Sequence, residues 1–77
     1  MKAIVYGTPR CSWCVRVTKI LEDRKVTVEK IDVSESKDLI IEMQKATEEK
    51  VTTVPQVIID GKYIGGYTEV ERFLNRL

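Results

Sequence analysis

Two cysteines separated by two residues, Cys11 and Cys14, are the clearest candidates for chemistry in this sequence. At the start of a helix this spacing brings both sulfurs over the first turn, where a dithiol can close into a disulfide and open again. A bridge across so short a loop adds little to global stability, because loop-closure entropy grows with loop length. A structural zinc site normally needs four Cys or His ligands, and the chain has two cysteines and no histidine. The pair therefore predicts redox chemistry.

Cys11 is the predicted nucleophile, because it falls where a loop meets a helix. Unpaired backbone N–H groups and the helix dipole stabilise a thiolate there, and Arg10 and Arg16 add positive potential. Such surroundings lower a cysteine pKa from about 8.5 to roughly 3.5–7.5. Cys14 lies on the apolar stripe of the same helix with Val17, which suits it to resolving a mixed disulfide. Two inert buried thiols are the disfavoured alternative, because a polar junction surrounds position 11.

Two residues near this pair remain open to more than one interpretation. Trp13, the only tryptophan, could form one wall of a shallow peptide groove or fold its ring back on the core. Pro55 stands at the start of a predicted strand, where proline is tolerated because it has no N–H to donate to a ladder. Taken alone, this proline indicates no function.

The elements that must position these residues follow from hydrophobic periodicity. Strands are predicted over 2–6, 26–33, 56–59 and 62–64, the last two joined by an Asp60-Gly61 turn. Helices are predicted from Ser12 to about Lys25, after Ser34 or Ser36, and from Tyr67. Their predicted buried stripes are Cys14, Val17, Ile20 and Leu21, then Leu39, Ile40, Met43 and Ala46, then Tyr67, Val70, Phe73, Leu74 and Leu77. The order β-α-β-α-β-β-α predicts an α/β protein similar to the thioredoxin-like fold, a four-stranded mixed sheet with three helices.

Length and composition limit the classes of protein. The 77 residues can hold one domain, residues 1–77, and the net charge of +1 favours neither nucleic acid nor an anionic membrane as a partner. The N-terminal apolar run is too short for a signal peptide, and no stretch is long enough to span a bilayer. We therefore expect a cytoplasmic, soluble monomer.

Three motifs in order resemble the glutaredoxin family of bacterial or phage type: Tyr6-Gly7-x-x-x-Cys11-x-x-Cys14, Thr53-Val54-Pro55, and Ile64-Gly65-Gly66-Tyr67-Thr68-Glu69. The resemblance implies a cis Pro55 facing the dithiol and a Val54 backbone that pairs with the substrate's cysteine as an added strand. It also implies that Thr68 and Glu69, at the N-terminus of the last helix, hold the γ-glutamyl end of glutathione. The substrate and glutathione site so implied comprises Arg10, Trp13, Thr53, Val54, Pro55, Gly66, Tyr67, Thr68 and Glu69.

The resemblance implies that the protein functions as a dithiol glutaredoxin, a thiol–disulfide oxidoreductase. Such an enzyme holds no tightly bound cofactor and uses glutathione as reducing co-substrate, and its partners are disulfide-containing client proteins, with ribonucleotide reductase one plausible client. Where many members carry a basic residue this chain has Thr8, which leaves Arg10 or Lys50 as substitutes. Glu69 replaces the commoner Asp, and Ser12 the commoner Pro. The serine suggests an alternative, a glutathione-assisted [2Fe–2S] cluster-binding and transfer module. A donor reduced by thioredoxin reductase is a further alternative.

Overall fold

The computed structural model describes all residues 1–77 and contains four strands and three helices. In chain order the elements are β1 (Lys2–Gly7), α1 (Ser12–Asp23), β2 (Thr27–Asp32), α2 (Lys37–Thr47), β3 (Gln56–Ile59), β4 (Lys62–Gly65) and α3 (Tyr67–Asn75). This is the predicted β-α-β-α-β-β-α order. None of the three helices has the length and apolar character needed to cross a membrane.

The sheet is mixed, with strand order β2-β1-β3-β4. β1 pairs in parallel with β2, as the α1 crossover requires, and antiparallel with β3. β3 and β4 form the predicted hairpin, whose turn residues Asp60 and Gly61 both have positive φ, of 49° and 83°. Two consecutive positive φ values characterise the tight turns that match the twist of a hairpin. β1 is therefore an interior strand, and the loop that follows it leads to Cys11 at the start of α1.

Alternation along the strands divides the core between the two faces of the sheet. Ala3 and Val5 of β1 belong to a nine-residue cluster with buried residues of α1 and α3, including Leu21 and Val70. The other face holds a smaller cluster, Tyr6, Val33, Met43 and Ile58, in which α2 supplies the methionine. Helices α1 and α3 thus share one face of the sheet, and their N-termini meet where Trp13 of α1 packs against Tyr67 of α3.

Several predicted boundaries and buried positions need correction. α1 ends at Asp23, two residues before Lys25, which has a left-handed φ of 61° and cannot continue a helix. Of the two serines predicted as possible caps of α2, Ser36 is the N-cap, and its hydroxyl accepts from the N–H of Asp38.

Two residues assigned to the buried helical stripes are exposed. Ala46 of α2 faces solvent, and the neighbouring Thr47 is buried in its place. The Thr47 hydroxyl donates to backbone carbonyls at the end of that helix, which satisfies a polar group in a buried position. Leu77 lies beyond the end of α3 and is also exposed.

Candidate active site

The N-terminus of α1 presents both cysteines. Cys11 is the N-cap residue, in an extended conformation, and Cys14 is the third residue of the helix. The two form a disulfide with their Cα atoms 5.2 Å apart. The backbone N–H of Cys14 donates to the Cys11 sulfur across 3.1 Å, the interaction that a serine or aspartate oxygen usually makes at an N-cap. The same N–H and the helix dipole can stabilise negative charge on this sulfur.

The two sulfur-bearing residues differ in their surroundings. Cys14 is 8% exposed, whereas Cys11 is half-buried at the surface, as the place of Cys14 on the apolar stripe predicts. The carbonyl of Cys14 accepts a hydrogen bond from the Thr18 hydroxyl at 2.9 Å, and Gly7 lies so near that a Cβ there would come within 2.7 Å of the Cys14 sulfur. Cys11 is therefore the sulfur that an incoming molecule reaches first.

The loop before β3 faces Cys11. The Val54–Pro55 peptide bond is cis, as the family resemblance implies, and Pro55 is buried. The carbonyl oxygen of Val54 lies 3.9 Å from the Cys11 sulfur. The structure thus joins two motifs that are far apart in the sequence, and the Val54 backbone lines the space in front of the Cys11 sulfur.

Two side chains that the sequence analysis did not single out tie this loop to the sheet. Gln56, 6% exposed, donates from Nε2 to both the carbonyl oxygen and the hydroxyl of Thr53, each at 3.1 Å. Its Oε1 accepts from the Tyr63 hydroxyl of β4 at 2.7 Å. Burial raises the pKa of Tyr63, and the carboxylates of Glu49 and Glu69 raise it further, so this hydroxyl keeps its proton. The sequence signal that could have pointed to Gln56 is its position as the one polar residue in the otherwise apolar strand Gln56–Ile59.

An aromatic pair lies beside the cysteines. The ring of Trp13 packs against that of Tyr67, with centroids 5.2 Å apart and planes inclined at 53°. The guanidinium of Arg16 lies 4.7 Å from the centroid of the Trp13 ring. Trp13 remains 49% exposed and belongs to neither core cluster, so it is not folded back on the core. Arg16, expected only to add positive potential, also stacks on this ring.

The start of α3 completes the site. Gly66 is the N-cap, and its N–H donates to Oε1 of Glu69 at 2.8 Å. A Cβ on Gly66 would lie 3.5 Å from the Pro55 carbonyl oxygen, which places the helix N-terminus beside the loop that faces Cys11. Tyr67 packs partly buried against the core, as its place in the helical stripe predicts, and its ring also contacts Trp13.

Most of the predicted site residues are connected by these contacts. Cys11, Val54, Pro55, Gly66, Tyr67 and Trp13 lie around one surface, and Thr53 and Glu69 adjoin it through hydrogen bonds. Arg10 and Thr68 are exposed at the two helix N-termini, and the structure shows no side-chain hydrogen bond for either of them. This arrangement can hold an extended molecule in front of Cys11.

Comparison with known proteins identifies the family to which this site belongs. The family model for glutaredoxin matches residues 3–64 of the chain. The chain belongs to the glutaredoxin family. Among relatives, glutaredoxin 1 of Salmonella typhimurium is 32% identical over 78 residues, a match that covers 92% of this chain and 87% of the relative. Glutaredoxin 1 of Escherichia coli is 29% identical over 76 residues, covering 90% of this chain and 87% of the relative.

Solved glutaredoxin structures have the same fold. The solution structure of reduced Escherichia coli glutaredoxin superposes with a TM-score of 0.81 at 25% identity, covering 99% of this chain and 95% of that one. The crystal structure of a buckwheat glutaredoxin–glutathione complex superposes with a TM-score of 0.78 at 26% identity, covering 96% of this chain and 68% of that one. The predicted family and thioredoxin-like fold are therefore confirmed. This glutaredoxin is a thiol–disulfide oxidoreductase, and Cys11 and Cys14 form its redox-active disulfide.

Proposed function

We propose that this glutaredoxin reduces protein disulfides and glutathione mixed disulfides with glutathione as the reducing co-substrate. The observation that carries the proposal is the placement of the Cys11 sulfur, which accepts the N–H of Cys14 at 3.1 Å and faces the Val54 carbonyl at 3.9 Å. The N–H of Cys14 can stabilise a thiolate on Cys11. The Val54 backbone can pair with an extended substrate beside that sulfur.

The first step is attack by the Cys11 thiolate on one sulfur of the substrate disulfide. A new sulfur–sulfur bond forms at Cys11, the substrate bond breaks, and the second substrate sulfur leaves as a thiolate that takes a proton from water. The unpaired N–H groups at the start of α1 favour the attacking charge before the step.

The second step resolves the mixed disulfide. Cys14 loses its proton to water and attacks the Cys11 sulfur. The Cys11–Cys14 disulfide seen in the structure forms, the bond from Cys11 to the substrate breaks, and the substrate sulfur leaves as a thiolate that takes a proton from water. Two glutathione thiols then reduce the Cys11–Cys14 bond and leave as one molecule of glutathione disulfide. The surroundings of Cys14 suit this order. Its sulfur is shielded from outside molecules, with Cys14 only 8% exposed, but lies within bonding reach of the Cys11 sulfur.

The glutathione site in this proposal spans the surface between the two helix N-termini. Backbone N–H groups at Thr68 and Glu69 suit the γ-glutamyl carboxylate, and the Val54 backbone suits the cysteinyl part. Thr53, Pro55, Gly66, Trp13 and Tyr67 form the walls, and Arg10 supplies positive charge for the remaining carboxylate. The buckwheat glutaredoxin–glutathione complex supports this proposal, because that protein has the same fold.

The partners follow from the same site. We propose that the enzyme acts as a cytoplasmic monomer on disulfide-containing client proteins, with ribonucleotide reductase one such client by family resemblance. Recognition is local to the site around Cys11, in keeping with a net charge of only +1.

The test is NADPH consumption during reduction of a small mixed disulfide, run with glutathione plus glutathione reductase and, in parallel, with thioredoxin reductase alone. We expect turnover with glutathione that vanishes in Cys11→Ser. Turnover only with thioredoxin reductase would contradict glutathione dependence. Silence in both assays would contradict the reductase function and favour the cluster-binding alternative, which visible absorbance after anaerobic purification would reveal.

A further inference from the structure

We propose that Tyr63 and Gln56 are positioning residues, which hold the Thr53–Val54 backbone at the distance from Cys11 that a substrate requires. This inference rests on the proposed reductase function. It holds that two side chains contribute to the enzyme's affinity for its substrate without contacting the reacting sulfurs. Both lie in the sheet, Gln56 on β3 and Tyr63 on β4, so they couple the loop to a rigid element.

The hydrogen-bond chemistry fixes the direction of this relay. The carbonyl oxygen of Thr53 can only accept, so the side-chain nitrogen of Gln56 must face it. The side-chain oxygen of Gln56 then faces Tyr63, whose hydroxyl must donate to it. If the amide turned its oxygen toward Thr53, that oxygen would face the Thr53 carbonyl oxygen, a second acceptor, and this hydrogen bond would be lost. The observed orientation is therefore the favourable one.

The loop depends on side chains for its position. Residues 50–54 lie between α2 and β3 and make no backbone-to-backbone hydrogen bond. Two glutamine side chains instead hold this segment, with Gln44 donating to the Val51 carbonyl at 3.2 Å and Gln56 donating to Thr53. Only the second of these anchors adjoins Val54, the residue whose carbonyl faces the Cys11 sulfur.

Loss of the relay should therefore weaken substrate binding more than the chemical step. Cys11 keeps its N-cap position and its contact with the Cys14 N–H, so its reactivity stays unchanged. The Val54 backbone becomes free to move, and an incoming substrate must first order it. The expected result is a higher KM with little change in kcat.

The experiment compares Gln56→Leu and Tyr63→Phe with Gln44→Leu as the matched control, using the enzyme with glutathione, glutathione reductase and a glutathionylated peptide. We expect the KM for the peptide to rise about fivefold or more in Gln56→Leu and about two- to threefold in Tyr63→Phe. The double variant should equal Gln56→Leu alone, because both changes break one relay. In Gln44→Leu we expect lower thermal stability with KM within about twofold of wild type.

Nitrogen-15 relaxation of the Val54 amide gives a second readout that needs no turnover. Its order parameter should fall in Gln56→Leu and Tyr63→Phe and stay at the wild-type value in Gln44→Leu. An unchanged KM and a rigid Val54 in folded Gln56→Leu, or an equal rise of KM in Gln44→Leu, would overturn the proposal. If the wild-type enzyme shows no glutathione-dependent turnover, the proposed function fails, and the order parameters alone then decide whether the relay holds the loop.

Discussion

The backbone N–H of Cys14 donates to the sulfur of Cys11 across 3.1 Å, so that a sulfur serves as the N-cap acceptor of α1. The first N–H groups of a helix have no partner within the helix, so an acceptor at the N-cap stabilises it, and a negatively charged acceptor is favoured there. Once the disulfide is reduced, the same N–H is placed to stabilise a thiolate on Cys11.

The Cys11 thiol of the reduced protein should ionise more readily than an ordinary thiol, because the N–H of Cys14 and the helix dipole favour its thiolate. The measurement is thiolate ultraviolet absorbance against pH in Cys14→Ser, where Cys11 is the only cysteine. Cys11→Ser reports Cys14 alone and is the control. A titration of Cys11 at or above about 8.5 would contradict this account of its reactivity.

Gly65→Ala should destabilise the protein by about 2–3 kcal/mol. Gly65 has a φ of 132°, and a Cβ there would lie 2.8 Å from Cγ of Glu69, which caps the start of α3. Gly61→Ala is the matched control, since its φ is also positive, at 83°, but a Cβ would meet nothing within 4 Å. Urea unfolding should show the larger loss for Gly65→Ala. An equal loss of unfolding free energy in the two variants would mean that the clash with Glu69 adds nothing to the cost of Gly65→Ala.

Glu48→Gly should stabilise the protein by about 0.5–1 kcal/mol. Glu48 is the C-cap of α2 and has a left-handed φ of 58°, a conformation that costs a side-chain-bearing residue free energy and suits glycine. The control is Glu49→Gly at the next position, which has no positive φ and should lose stability. A lower unfolding midpoint for Glu48→Gly than for wild type would show that the left-handed cap carries no such cost.

Stability should fall as the pH rises above about 10. Burial raises the pKa of both Tyr6 and Tyr63, and the carboxylate of Glu42 adds to the effect at Tyr6. Above the ordinary tyrosine pKa the unfolded chain releases these protons before the folded one does, so ionisation favours unfolding. Urea midpoints measured between about pH 9 and pH 11 should decline less steeply in Tyr6→Phe with Tyr63→Phe than in wild type. An equally steep decline would contradict the assignment to these two tyrosines.

Local sequence signals were sufficient for the elements and for the cysteine pair. A short apolar run predicted β1, alternation predicted β2, and the Asp60-Gly61 turn predicted the β3–β4 hairpin. The spacing of the cysteines placed them at the start of α1, where the structure has them. The errors lie where tertiary contacts outweigh a local pattern. Ala46 fits the apolar stripe of α2 by type, yet Thr47 is buried because its hydroxyl finds backbone acceptors at the helix end.

The surroundings of the cysteines depended on contacts that no local pattern contains. The cis conformation of Pro55 was predicted only from the family motifs, because its local sequence indicates no function. Trp13 packs against Tyr67, which comes from the other end of the chain and which no local pattern pairs with it. Gln56 could be recognised as a polar residue in an apolar strand, but its partners could not be predicted. These partners depend on the hairpin register, which pairs Tyr63 with Ile58 and lets its hydroxyl reach Gln56 two residues away, and on the course of a loop without secondary structure.

The most direct test of the central claim, that Cys11 attacks and Cys14 resolves, is intact mass spectrometry of Cys14→Ser and Cys11→Ser after incubation with glutathione disulfide. The account predicts that Cys14→Ser gains one glutathionyl group, located on Cys11 by peptide mapping and stable until a second thiol is added. Cys11→Ser should remain unmodified over the same interval, because Cys14 is 8% exposed. Rapid modification of Cys14 in Cys11→Ser, with none of Cys11 in Cys14→Ser, would reverse the assignment and contradict the account.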